Sequence, residues 1–233
     1  MSRTARIVVP GVAHHVTQRG VRRLQTFFGA ADYARYIELL AEGCRSADVR
    51  VLAWCLMPNH VHLVLVPGTV ESLTAALSYV HQRYTWIVNR RNGCTGHLWQ
   101  SRFASSPMDD AHTLAAVRYV ELNPVRAGLV TSPEQWRWSS LRGRLPGGHE
   151  PLAVAADAWL SHGVTDWLDF LAEGLSEEDA ERIRVNARKG TVLGGAAFIA
   201  RFEAGAGRTL QRRPRGRPRR DPEKVATPSL HAR

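Results

Sequence analysis

Two apolar runs, Val49–Leu56 and the β-branched-rich His60–Val66, are separated only by Met57-Pro58-Asn59. Pro58 and Asn59 are turn residues, so the pair predicts an antiparallel hairpin. The second run carries His60 and His62, and residues two apart in a strand project from the same face. Imidazole is costly to bury unless it is hydrogen-bonded or coordinated. The two rings are therefore either satisfied core histidines or two ligands of one metal ion. As ligands they need at least one more protein donor. The chain has no HExxH and no paired CxxC, which leaves zinc-protease and zinc-finger readings without support.

The hairpin sits within a longer alternation of patterns. Val12–Gln18 reads as a strand ended by Arg19-Gly20. Tyr33, Tyr36, Leu39, Leu40 and Cys44 have helical spacing over about 31–46, as do Leu73, Leu77, Val80, Tyr84 and Val88 over about 70–91. Gln100–Met108 reads as a fourth strand, and a further helix runs from Ala111 to about Asn123. The order β-α-β-β-α-β-α predicts an α+β fold: a ferredoxin-like (RRM-like) antiparallel sheet with helices on one face and one appended helix. Such a sheet is expected to leave its other face free for single-stranded nucleic acid. The expected division is a core over 1–145, a helical extension over 146–205 and a tail over 206–233. The extension reads as short helices near 164–174, 176–188 and 195–204. The Arg- and Pro-rich tail cannot bury a core and is expected to be disordered when free.

Charge is distributed in blocks. Residues 1–149 carry 17 Arg/Lys against 9 Asp/Glu, residues 150–181 carry 9 acidic groups and no Arg or Lys, and residues 182–233 carry 14 basic and 3 acidic groups. Two basic blocks around an acidic one favour a polyanionic partner and salt-dependent association. Arginine far outnumbers lysine, which favours phosphate recognition. Arg19, Arg22 and Arg23 follow the first strand and are candidate DNA contacts. Trp99, Gln100, Arg102 and Phe103 combine stacking and hydrogen-bonding capacity, with a core role for the two aromatics as the alternative. Arg118 and Arg126 flank the next helix and either steady phosphate or pair with carboxylates. In the tail, Arg215 and Arg217 lie in an Arg-Gly-Arg-Pro sequence similar to an AT-hook, which places arginines in an A·T-rich minor groove. A nonspecific polybasic tail is the alternative.

Three cysteines, Cys44, Cys55 and Cys94, show no short pairing motif and point to reduced thiols in the cytoplasm. No stretch approaches the roughly 20 apolar residues of a membrane span, and the apolar run near the N-terminus is too short for a signal sequence.

Tyr119 and Asn123 are i and i+4, so they share a helix face. Pro124 weakens the regular helix at Asn123 and leaves its amide at the helix end. The pair reads either as a core tyrosine before an Asn-Pro turn or as a nucleophile beside a neutral oxygen ligand. In the second case the two constellations complement each other. A phenol is a poor nucleophile at neutral pH, and a divalent ion beside it can polarise and orient a scissile phosphate.

Met57–Leu65 resembles the HUH signature (histidine, bulky hydrophobe, histidine) of single-tyrosine transposases. Val9-Pro10-Gly11 through His15-Val16-Thr17-Gln18-Arg19-Gly20, Gly96-His97-Leu98-Trp99-Gln100-Ser101-Arg102-Phe103 and Tyr119–Val130 are similar to stretches of the REP-associated tyrosine transposases, in the same order over roughly residues 6–145. The resemblance implies that residues 1–145 are a catalytic domain, with Tyr119 as nucleophile and His60, His62 and Asn123 holding Mg²⁺ or Mn²⁺. It implies cleavage of single-stranded DNA beside hairpin-forming palindromes, with the 5′-phosphate left on tyrosine, by a monomer. A helix-exchanging homodimer, as in related insertion-sequence enzymes, is the alternative. Val21 departs from the polar residue usual after Arg19-Gly20. The competing functions are a catalytically inactive DNA- or RNA-binding descendant and a hydrolase of small phosphates, which leaves the arginine blocks unexplained. The acidic segment 150–181 could also cover the basic DNA site.

Overall fold

The computed structural model describes residues 6–148, Leu152, Val164 and 166–206. Its core elements come in the expected order: β1 (His14–Arg19), α1 (Ala30–Ser46), β2 (Val49–Met57), β3 (His60–Pro67), α2 (Ser72–Arg91), β4 (Ala104–Pro107) and α3 (Asp110–Glu121). The strands form one antiparallel sheet in the order β2-β3-β1-β4, the ferredoxin-like arrangement. β4 is shorter than the alternation predicts. Residues 99–103 instead lie loosely along the end of β1, held by Gln100 N–H to the Arg19 carbonyl at 2.9 Å.

On one face, Val16, Val61, Leu63 and Leu65 pack under α1 and α2. These helices approach closely because residue 43 is glycine. A Cβ there would lie 3.0 Å from both the Ala76 carbonyl and Val80 Cγ2.

The other face is not free, contrary to the expectation. α3 lies on it through Ala116, Val117 and Val120, against Ala53, Cys55 and Val64 of the sheet. Beyond α3 come α4 (Asn123–Arg126), α5 (Leu141–Arg144), α6 (Trp167–Ala172), α7 (Glu177–Lys189) and α8 (Ala196–Ala206). α7 extends the cover with Ala180 and Ile183. It is well delimited, by Ser176 capping its N-terminus and by Gly190 in the left-handed conformation at φ 63° after its end. Coverage on both sides explains why β3 is apolar at both parities, Leu63 and Leu65 on one side and Val64 and Val66 on the other.

The end of α3 is anchored by a buried carboxylate. Glu121 accepts hydrogen bonds from Ser140 Oγ at 2.6 Å, Arg144 Nε at 2.9 Å and Trp167 Nε1 at 2.5 Å. Three donors offset the cost of burying the charge and join α3 to both segments that follow it. Among the described residues, no helix is long and apolar enough to cross a membrane. The three thiols are free.

Candidate active site

The strand register sets the first half of the site. Arg19 lies opposite His60 and Thr17 opposite His62, while His15, one step along, faces Val64. All five side chains His15, Thr17, Arg19, His60 and His62 therefore project toward α3. The His60 and His62 rings stand 4.9 Å apart at 77°.

Each ring is held from its Nδ1 side. His60 Nδ1 meets Asn59 Oδ1 at 2.7 Å, and the orientation of that amide follows from its Nδ2, which donates to the Arg23 carbonyl at 2.8 Å. An amide oxygen can only accept, so His60 carries its hydrogen on Nδ1 and has a lone pair on Nε2. His62 Nδ1 meets His15 Nε2 at 3.0 Å. Burial lowers the pKa of His60 to about 4, with the nearby Arg19 acting in the same direction. Burial also takes His62 well below the usual histidine range, helped by His60, His15 and Arg19. Both rings are thus neutral at physiological pH, the form in which imidazole can donate a lone pair.

The turn after β1 grips the hairpin tip. Gly20 N–H donates to the Asn59 carbonyl at 2.8 Å. A Cβ at residue 20 would lie 2.3 Å from the Leu24 carbonyl, so only glycine fits. Arg22 and Arg23 adopt positive φ of 52° and 64°, a strained backbone of the kind found at functional sites.

The second half of the site rides on α3. The regular helix ends at Glu121, and Pro124 sits in the first turn of α4, where its missing N–H costs nothing. Leu122 N–H still donates to the Arg118 carbonyl, so Tyr119 and Asn123 stay one turn apart on the same face. Tyr119 is 5% exposed. Its ring packs edge-on against His62 at 5.5 Å and His15 at 5.9 Å. Burial raises the phenol pKa, opposed by Arg184, by a side-chain hydrogen bond with Asn123, and by Arg126 and Arg19.

These groups line a cleft of about 620 Å³. His60, His62, Tyr119, Asn123, Arg19, Arg23, Gln100 and Arg102 all reach it, so the structure brings together most of the site residues expected from sequence. Arg126 lies beside it, with its guanidinium 5.9 Å from the Tyr119 ring and paired with Glu177 at 2.9 Å. Arg22 is exposed on the strained turn outside the cleft. Arg118 points elsewhere: it pairs with Glu173 and stacks on Phe170, on the wall of a different cavity. Trp99 and Phe103 are buried in the core under α1 and α2. Arg215 and Arg217 lie outside the described residues.

Sequence reasoning missed four contributors. Glu181, Arg184 and Arg188 of α7 form the far wall of the cleft, and His15 lies beneath its floor. Sequence offers little signal for them: the inward stripe of Ala180, Ile183 and Ala187 is only weakly apolar, and the facing of His15 and His62 depends on the register of β1 against β3. Among the described residues, no group of three or more His, Cys, Asp or Glu side chains is disposed to hold a metal ion.

Residues 8–123 match the model of the IS200-like transposases, and the chain belongs to that family. Within it, the chain is similar to the REP-associated tyrosine transposases. It is 23% identical over 115 residues to the one from Escherichia coli strain K12, covering 48% of this chain and 67% of that protein. It is 26% identical over 108 residues to a Haemophilus influenzae protein of the same group. That match spans 42% of this chain and 61% of the relative, short of two thirds of its length. The fold is shared with a REP-associated tyrosine transposase solved bound to a REP hairpin, at 20% identity and a TM-score of 0.54, over 72% of this chain and 95% of the other.

Proposed function

We propose that the chain is a metal-dependent, single-strand DNA nickase and strand transferase acting beside hairpin-forming palindromes. The observation that carries this reading is the packing of Tyr119 against His62 within one chain, at the edge of an arginine-lined cleft. The fold likeness to a protein solved on a REP hairpin supports the hairpin as substrate.

In this reading Tyr119 Oη attacks the scissile phosphorus. The Oη–P bond forms, the P–O3′ bond breaks, and the departing 3′-oxygen takes up a proton. The product is a 5′-phosphotyrosine linkage, which a 3′-hydroxyl can reverse to rejoin a strand without ATP. Arg184, Arg126 and Arg19 lower the cost of forming the phenolate in a buried setting, and Asn123 orients the hydroxyl by its hydrogen bond. His60 and His62 would hold Mg²⁺ or Mn²⁺ with Asn123, and the ion would polarise the scissile phosphate. The donor set fits such a role. Two neutral imidazoles and an amide leave several positions to phosphate oxygens and water, which suits a weakly held ion shared with substrate.

The test is a denaturation-resistant adduct. The full chain is incubated with single-stranded hairpin oligonucleotides and Mn²⁺ and resolved on a denaturing gel. Tyr119→Phe is expected to abolish the adduct while hairpin affinity stays within about twofold. An adduct that survives in Tyr119→Phe overturns the assignment of the nucleophile. Binding without any metal-dependent adduct overturns the catalytic reading.

A further inference from the structure

His15 is 1% exposed, yet among the described residues its side chain meets neither a backbone group nor a carboxylate. It lies diagonally across the β1–β3 ladder from His62 on the same face. The two rings are within 10° of parallel, with centroids 5.2 Å apart and His15 Nε2 facing His62 Nδ1 at 3.0 Å. Among the described residues, the other nitrogen, His15 Nδ1, has no hydrogen-bond partner.

Two nitrogens at this distance share one hydrogen, so only two arrangements exist for neutral rings. In one, His15 Nε2–H donates to His62, and the hydrogen of His62 then sits on Nε2, where it blocks the lone pair facing the cleft. In the other, His62 Nδ1–H donates to His15, and His62 Nε2 presents its lone pair beside that of His60. The Asn59 amide already imposes the second pattern on His60.

We infer that His15 is a positioning residue that accepts the Nδ1 hydrogen of His62 and so fixes that ring in the tautomer able to ligate a metal ion. Each histidine of the His60-Val61-His62 motif then has its own neutral acceptor on the Nδ1 side, an amide for one and an imidazole for the other. Hydrogen-bond partners of this kind set the ring orientation and tautomer of ligating histidines, and losing one typically costs 10–100-fold in metal affinity. The second ring also restricts rotation of His62, because Tyr119 packs edge-on against both imidazoles.

This inference rests on the metal-dependent reading above, and the experiment separates the two. Mn²⁺ binding to the full chain, without DNA, is measured by electron paramagnetic resonance titration for wild type, His15→Leu and His15→Gln. Leucine fills similar volume without an acceptor, whereas glutamine can place an amide oxygen near the position of the imidazole Nε2. His15→Leu is expected to weaken Mn²⁺ binding 10–100-fold, and His15→Gln to restore it to within about threefold of wild type. Long-range ¹H–¹⁵N spectra are expected to show the His62 hydrogen on Nδ1 in wild type and in His15→Gln. Equal Mn²⁺ affinity in wild type and His15→Leu, or a His62 hydrogen on Nε2 in wild type, overturns the role of His15 and leaves the metal reading standing. Loss of affinity in both variants reduces His15 to a packing residue and overturns the inference. No Mn²⁺ binding by wild type overturns the metal reading, and the inference with it.

Discussion

His14 and His15 are neighbours on β1, both buried and both with pKa values lowered to about 4 by burial, but they point to opposite faces of the sheet. His14 is fully satisfied. Its Nδ1 meets the Val12 carbonyl at 2.8 Å, and its Nε2 accepts from Val9 N–H at 3.2 Å. His15 instead faces a second imidazole with one nitrogen, and among the described residues its other nitrogen has no hydrogen-bond partner. The same residue type, at the same depth in the same strand, is a finished structural element on one side. On the other side it retains hydrogen-bonding capacity next to a tyrosine and a pair of potential ligands. Burial and a lowered pKa alone therefore do not mark the functional face. Unsatisfied polar capacity converging on a cleft does.

The first way to break this contrast is to damage the structural face alone. Leu63 is completely buried under α1 and α2. Leu63→Ala is expected to lower stability by about 2–5 kcal/mol in urea unfolding, the range for deleting a buried leucine side chain. Adduct yield per folded molecule should not change. A tenfold loss of adduct in fully folded Leu63→Ala protein would show that the two faces are coupled and not separable.

The structural histidine supplies a smaller, pH-dependent effect. Unfolded, His14 takes up a proton near pH 6.5, whereas folded it does so near pH 4, because burial outweighs the opposing hydrogen bond to Val12. The stability gained by keeping it neutral is full above pH 6.5 and is lost as pH falls toward 4. For this group the loss is on the order of 2–3 kcal/mol. His14→Asn keeps a donor for the Val12 carbonyl, removes the titration and is expected to flatten the stability profile between pH 6.5 and 4. At neutral pH it should cost roughly 1 kcal/mol through the lost Val9 contact. An unchanged slope would assign the acid sensitivity to other groups.

The two faces also differ in how far they could be read in advance. The β2–β3 hairpin is legible because Pro58 and Asn59 punctuate two apolar runs, and the end of α3 is legible to within two residues because Pro124 cannot continue a helix interior. Tyr119 and Asn123 were paired correctly in space because a helical period fixes which residues share a face. The cover over the second face was not legible. α7 is dominated by charged residues, and its inward stripe of Ala180, Ile183 and Ala187 carries too little apolar signal to announce a buried helix. The meeting of His15 with His62 depends on strand register across 47 positions. Register is set by the packing of the whole sheet, and a shift of one residue would send His15 to the other face. For the same reason the sequence shows the arginines of α7 as part of a basic block but does not locate them in the cleft.

The smallest expected stability effect belongs to one of those arginines. Arg184 pairs with Glu177 at 2.5 Å and Glu181 at 3.0 Å, with its side chain 44% exposed. Exposed pairs of this kind contribute little, so Arg184→Gln is expected to change stability by less than about 0.5 kcal/mol. Its effect should fall on Tyr119 instead, because Arg184 is the strongest of the groups opposing the upward push of burial on the phenol. Removing it should raise the Tyr119 pKa further, move the alkaline limb of single-turnover adduct formation to higher pH and slow the reaction roughly tenfold near pH 8. That is less than the 10²–10³ seen when a buried transition-state donor is removed. The phenol is followed at 295 nm as the difference between each protein and its Tyr119→Phe counterpart. A stability loss above about 1 kcal/mol with an unshifted pH profile would make α7 part of the structural face, and the cleft would then end at the sheet and α3.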